Sequence, residues 1–114
     1  MANSATFSVE SYKRVDVVEI VGRIDSNNAP ELDTLLSELL DRKRYELVLD
    51  LSAVSYMSSA GLRALVGTLR TCKKNGGDVR LVNISARVEE VLDLAGLTSL
   101  FERFDDQVSA VGSF

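Results

Sequence analysis

The chain has 114 residues, a formal net charge of −4, no histidine, no tryptophan and a single cysteine. That length fits one domain spanning 1–114, and the 46% hydrophobic and 26% charged composition suits an ordinary packed core. Without histidine there is no Ser-His-Asp or Cys-His nucleophile and no His-containing metal site, and Cys72 alone can form neither an internal disulfide nor a thiolate cage.

An unpaired cysteine points to a reducing compartment. Seventeen acidic residues against 13 basic ones leave no positive excess to displace counterions from phosphate, so direct nucleic-acid binding is not expected. The densest basic stretch, Arg42-Lys43-Arg44, reads as a solvated helix end. No apolar run nears the roughly 20 residues that span a bilayer. Residues 1–6 lack the basic start and apolar stretch of a signal peptide. The expectation is a cytoplasmic chain with no membrane contact.

In chain order, 7–12 and 15–22 are β-branched and aromatic runs split by Lys13-Arg14, which predicts an antiparallel hairpin. A helix follows the polar stretch Asp25-Ser26-Asn27-Asn28. Asn28 is its expected N-cap, Glu31 the reciprocal partner of a capping box, and Pro30 sits in the first turn. Leu32, Leu35, Leu36, Leu39 and Leu40 recur at the spacing of one buried helical face. The run 45–51 is apolar apart from Glu46 and Asp50, as in a strand covered on both sides.

A loop over 52–59 then leads to a second helix carrying Leu62, Leu65, Val66 and Leu69, stopped at Asn75-Gly76-Gly77. A strand over 78–83 follows. Ser85 caps a third helix with Val88, Val91, Leu92 and Ala95 inward, and Gly96 ends it. Residues 100–104 read as a short edge strand, and Asp105 as the cap of a last helix. The order β-β-α-β-α-β-α-β-α predicts an α/β domain with four or five strands. Its sheet is mainly parallel, with an N-terminal antiparallel hairpin and helices mainly on one face. Leu32, Leu36, Leu65, Leu69, Val48 and Val91 are its expected core.

Chemistry has few footholds. No phosphate loop and no dinucleotide fingerprint is present, and Gly76-Gly77 follows a helix instead of opening one. Asp25 and Asp50 fall near the predicted C-terminal ends of two strands, where open α/β sheets place ligands. They lack a companion for acid–base or metal work, so no catalytic residue, metal or cofactor is expected.

The most informative stretch is Asp50-Leu51-Ser52-Ala53-Val54-Ser55-Tyr56-Met57-Ser58-Ser59-Ala60-Gly61-Leu62. Here a buried strand meets small hydroxyl residues that open an amphipathic helix. On the plain reading, Ser58 or Ser59 is an N-cap and Gly61 permits close helix–sheet packing. A second reading notes that such a hydroxyl lies beside free backbone N–H groups and the positive end of a helix dipole. A phosphate attached there is tolerated by the fold.

This segment resembles that of the STAS-domain family of anti-sigma-factor antagonists, the phosphorylatable members of bacterial partner-switching systems. Its Asp50-Leu51-Ser52, Val54, Tyr56-Met57, Ser59 and Gly61-Leu62 match the family pattern. So do Gly22-Arg23-Ile24-Asp25, Gly76-Gly77 and Leu94-Ala95-Gly96-Leu97, so the resemblance covers nearly the whole chain. It implies a STAS fold and a binding module, not an enzyme. The unphosphorylated form would bind an anti-sigma factor that is also a serine kinase, freeing a sigma factor in a stress response. Phosphorylation would switch binding off, and a phosphoserine phosphatase would restore it.

By the same resemblance Ser59 is the phosphoacceptor. Ser58 stands where the family carries aspartate and is a second candidate, and Ala60 replaces Ser or Thr. Asp25, Ser26, Asn27, Tyr56, Met57, Ser58 and Gly61 are the expected partner contacts. The alternative is a STAS adaptor or scaffold subunit of a signalling or transport complex that is never phosphorylated, its serines serving as caps only.

Overall fold

A computed structural model describes residues 5–114; the segment 1–4, part of the stretch read as lacking a secretion signal, lies outside the described residues. Strands β1 (Ala5–Ser11) and β2 (Val15–Ile24) form the antiparallel hairpin, with a two-residue turn at Lys13-Arg14. There follow α1 (Ala29–Asp41), β3 (Glu46–Met57), α2 (Ser59–Lys74), β4 (Asp78–Val82), α3 (Ala86–Leu94), β5 (Glu102–Phe104) and α4 (Gln107–Gly112). A single 3-10 turn at Thr98–Leu100 leads into β5.

The five strands lie side by side in chain order, β1-β2-β3-β4-β5, and every pair after the first is parallel. Three right-handed crossovers that step in one direction must put their helices on one face. Accordingly Leu32, Leu36 and Leu39 of α1, Leu65, Leu69 and Cys72 of α2, and Val88 and Leu92 of α3 share one core. They pack there with Val18, Ile20, Leu47, Leu49, Leu51 and Leu81 of the sheet. The other face carries α4 alone, with Ala110 over Val15, Val17, Val48 and Val82. Among the described residues no helix is long and apolar enough to cross a membrane.

Six details differ from the sequence reading. β3 does not stop at 51: it runs on to Met57, pairing Val21 with Ala53, Arg23 with Tyr56 and Ile24 with Met57 across two bulges. One bulge lies at Gly22, whose φ of 112° is reserved for glycine. Val91 is half-buried and Ala95, at the C-cap of α3, is exposed. Asp106, not Asp105, caps α4, its carboxylate accepting from the Ser109 N–H at 2.7 Å.

Arg44 does not trail into solvent as Arg42 and Lys43 do: its side chain is 26% exposed and is held by the fold. Its guanidinium forks onto Asp16, whose side chain is 1% exposed, at 2.9 and 3.1 Å. It also donates to the carbonyls of Tyr12 and Lys13. Finally, Asn28 makes no side-chain cap, for a reason that belongs to the site.

Candidate functional site

The parallel strands end on two loops, Asp25–Asn28 after β2 and Ser58 after β3. In the first, Asp25 Oδ1 accepts from the N–H groups of Asn27 (2.9 Å) and Asn28 (3.1 Å). Asn28 Oδ1 accepts in return from the Asp25 N–H (2.8 Å), while Asn28 Nδ2 donates to the Arg23 carbonyl (2.8 Å). Asn28 already has helical backbone angles, so its side chain reaches back to the loop and cannot cap α1. The expected capping box with Glu31 is therefore replaced by a reciprocal Asp25–Asn28 clasp that rigidifies the loop.

In the second loop, the Ser58 N–H donates to the Ile24 carbonyl at 2.8 Å, tying the two strand ends together. Ser58 Oγ accepts from the Gly61 N–H at 3.2 Å, an ordinary N-cap, and the residue is 9% exposed. Ser59 is the first helical residue of α2 and is exposed. The two adjacent serines thus differ in kind: one hydroxyl is used by the fold, the other faces solvent. Since Ser58 satisfies Gly61, the N–H groups of Ser59 and Ala60 stay without an intrahelical acceptor, at the positive end of a 16-residue helix.

Met57 and Gly61 lie beneath this surface. Met57 is 1% exposed. A Cβ on Gly61 would overlap Met57 Sδ and come within 2.7 Å of Ile24 Cγ2, so only glycine lets α2 seat this closely on the ends of β2 and β3. Both residues shape the loop from below and present no side-chain surface. Tyr56 is half-buried on the opposite face of the sheet, with the Arg23 guanidinium 4.5 Å from its ring centroid.

The loops and the first turns of α1 and α2 enclose a shallow groove of about 300 Å³ lined by Ser26, Ala29, Pro30, Asp33, Ala60, Arg63 and Ala64. Of the residues expected here, Ser26 lines it, Asp25, Asn27 and Ser58 lie in the two bordering loops, and Ser59 opens α2 beside it. Asp33 and Arg63 were missed. Arg63 follows Ser59 by four residues on a helix, a spacing that brings two side chains together and was readable; Asp33 required the α1–α2 packing.

Asp50 belongs elsewhere. Because β3 extends to Met57, Asp50 is mid-strand and opposite Glu19, not at a strand end with Asp25. Burial works against its charge, but bonds from Gln107 Nε2 (2.7 Å) and from the Ser52 N–H and hydroxyl prevail and hold it below the ordinary carboxylate range. Cys72 is sealed in the core, where burial and the nearby Asp78 charge push its thiol up to about 12. It is no nucleophile at neutral pH.

The loop carboxylate of Asp25 is held by two N–H groups, and the chain has no histidine to act as base.

Comparison with known proteins places this geometry. The family described as STAS domain matches residues 6–110. An anti-sigma-B factor antagonist of Bacillus subtilis is 39% identical over 85 residues, covering 75% of this chain and 77% of its own. That of Staphylococcus epidermidis is 31% identical over 83 residues, 73% of this chain and 77% of its own. The crystal structure of an anti-sigma factor antagonist from Mycobacterium paratuberculosis superposes with a TM-score of 0.87 at 29% identity, covering 99% of this chain and 96% of that one.

Proposed function

The chain belongs to the STAS-domain family of anti-sigma factor antagonists, and on that premise we propose that it is a phosphorylation-controlled antagonist working in the cytoplasm. The unphosphorylated protein binds an anti-sigma factor that is also a serine kinase, and so releases a sigma factor. The kinase transfers the γ-phosphoryl of ATP to Ser59 Oγ, with loss of the hydroxyl proton and departure of ADP. A phosphoserine phosphatase hydrolyses the ester and resets the switch. The protein is substrate and binding module, with no chemistry of its own.

The observation that carries this reading is the division of labour between the two serines. Ser58 is buried and caps α2, while Ser59 is exposed with two free N–H groups beside it. A phosphate on Ser59 adds roughly −1.5 to −2 charges where a partner must pack. Burying that charge without cations costs roughly several kcal/mol, which moves affinity by orders of magnitude. The helix start can accept the phosphate, so no refolding is required. The partner footprint is the groove with Ser26 and Arg63, bordered by Asp25, Asn27, Ser58 and Ser59. Met57 and Gly61 support it from beneath, while Tyr56, on the other face of the sheet, lies outside it.

The test is phosphopeptide mapping after reaction with the cognate kinase, alongside affinity measurements on Ser59→Ala and the authentic phosphoprotein. Phosphate on Ser59, binding retained by Ser59→Ala and binding lost by the phosphoprotein are the expected results. Phosphate on Ser58, or full incorporation into Ser59→Ala, would move the acceptor by one residue. Equal affinity of the phosphorylated and unphosphorylated forms would remove the switch.

A further inference from the structure

β1 is a terminal strand of the sheet, and among the described residues nothing pairs with its outer edge. Natural edge strands are usually shortened, bulged, charged or interrupted by proline. This one has seven residues in unbroken register with β2, no proline and one charge, Glu10. It also carries Val9, 39% exposed, next to the half-buried Phe7.

The direction of its free backbone groups follows from the hairpin. The Tyr12 N–H donates to the Val15 carbonyl at 2.8 Å, which makes that flanking couple a hydrogen-bonded pair. Hydrogen-bonded and non-hydrogen-bonded pairs alternate along an antiparallel ladder. In the observed register Glu10, Ser8 and Thr6 therefore turn their N–H and C=O toward β2. Ala5, Phe7, Val9 and Ser11 turn theirs outward.

The sequence of β1 is a palindrome by residue class about Ser8. Ala5 matches Ser11, Thr6 matches Glu10, and Phe7 matches Val9. Two copies related by a two-fold axis at Ser8 would pair each outward-facing residue with another, giving up to about eight backbone hydrogen bonds. Phe7 would lie across from Val9 of the other copy on the helix-bearing face, a favourable cross-strand couple. Each Glu10 would meet Thr6, so the one charge of the strand never faces itself. A two-fold centred on Phe7 or Val9 shortens the overlap, and the Val9 centre sets Phe7 against Ser11.

We propose that β1 is a dimerisation edge: two copies of this chain join their β1 strands antiparallel about Ser8, fusing two five-stranded sheets into one. The like net charge of −4 on each copy opposes the encounter. Association should therefore strengthen as salt screens it.

The test combines sedimentation velocity over a concentration series with directed cross-linking. In this register Ser8 faces Ser8 in a non-hydrogen-bonded pair, with Cα atoms about 4.5 Å apart, within disulfide range. Ser8→Cys should oxidise to a covalent dimer at least about tenfold faster than Thr6→Cys, whose counterpart is Glu10. The native Cys72 is buried and does not compete.

Val9→Pro removes an outward N–H without touching the β1–β2 ladder and should weaken association at least about tenfold. Val9→Lys, which keeps the backbone donor, guards against a failure of the proline variant to fold. It too should weaken the dimer, with the circular dichroism unchanged. A chain that stays monomeric throughout, equal cross-linking at positions 6 and 8, or a dimer indifferent to both Val9 variants would overturn the proposal.

Discussion

The two ends of the parallel sheet solve the same problem in opposite ways. At the end where β2 and β3 begin, the exposed backbone carbonyls of Tyr12 and Lys13 are gathered by a single charge, Arg44, itself locked on the buried Asp16. The turn before β4 closes against the same region: a Cβ on Gly77 would overlap the Tyr45 carbonyl oxygen. At the end where those strands finish, the work is done by short neutral or locally satisfied groups, the Asp25–Asn28 clasp and the Ser58 cap. The first end is clamped by an ion pair. The second is held by a half-buried carboxylate and a neutral hydroxyl, both satisfied by backbone N–H groups, and Ser59 beside them stays exposed.

The largest expected effect breaks the clamp. Arg44→Met strands the Asp16 carboxylate in a site that is 1% exposed, and should cost about 3–5 kcal/mol in urea or thermal unfolding. The double variant Asp16→Leu, Arg44→Met should recover most of that loss. If Arg44→Met alone is nearly silent, the two ends do not differ as described.

Next comes the seat of α2. Gly61→Ala drives a methyl into Met57 and Ile24. It should destabilise by about 1–3 kcal/mol, while partner affinity falls through the displaced loop. A finer comparison sets the two serines against each other. Ser58→Ala removes a cap and should cost about 1 kcal/mol, whereas Ser59→Ala should stay within about 0.5 kcal/mol. Chemical denaturation of both variants decides whether their roles are distinct.

How far the sequence alone reaches can be judged from particular residues. The leucine stripe of α1, the Ser85 cap and the glycine stop after α2 are local patterns, and all are found in place. The hydroxyl pair before Gly61 was equally legible, though not which serine caps. The second half of β3 was hidden, because Ser52-Ala53-Val54-Ser55-Tyr56 does not alternate cleanly. Two bulges break its period, and only pairing with β2 makes it a strand. Arg44 was misread because its partner is 28 residues away and gives no sign in the neighbouring sequence. The α1 wall of the groove was out of reach for the same reason: it exists only once two helices have packed.

The smallest expected effect concerns pH. The Asp50 carboxylate sits below its ordinary range in the folded chain, so its contribution to stability is present above the unfolded value of about 3.9. It is lost as pH falls through the lower folded value. Gln107→Leu removes one of the bonds holding it down. The carboxyl titration, followed by NMR, should then shift upward, and acid unfolding should begin at a higher pH. The loops at Ser59 and Asp25 should keep their chemical shifts throughout, since Gln107 lies on the other face of the sheet.

The chain-order arrangement of the strands has a kinetic consequence. Each strand–helix–strand unit is laid down beside the one before it, so every sheet pairing joins strands that are consecutive in the chain. Each parallel pairing must still wait for its crossover helix, as between Val15 and Glu46, and such non-local contacts slow folding, but the arrangement asks for only one crossover at a time. It also suits a chain emerging from the ribosome: β2, α1 and β3 can bury their shared leucines before α3 has been made. The last unit has a three-residue β5 with no buried residue and a six-residue α4 with one, Ala110. Amide exchange should release it first, while the strand ends that frame Ser59 open only with the whole molecule.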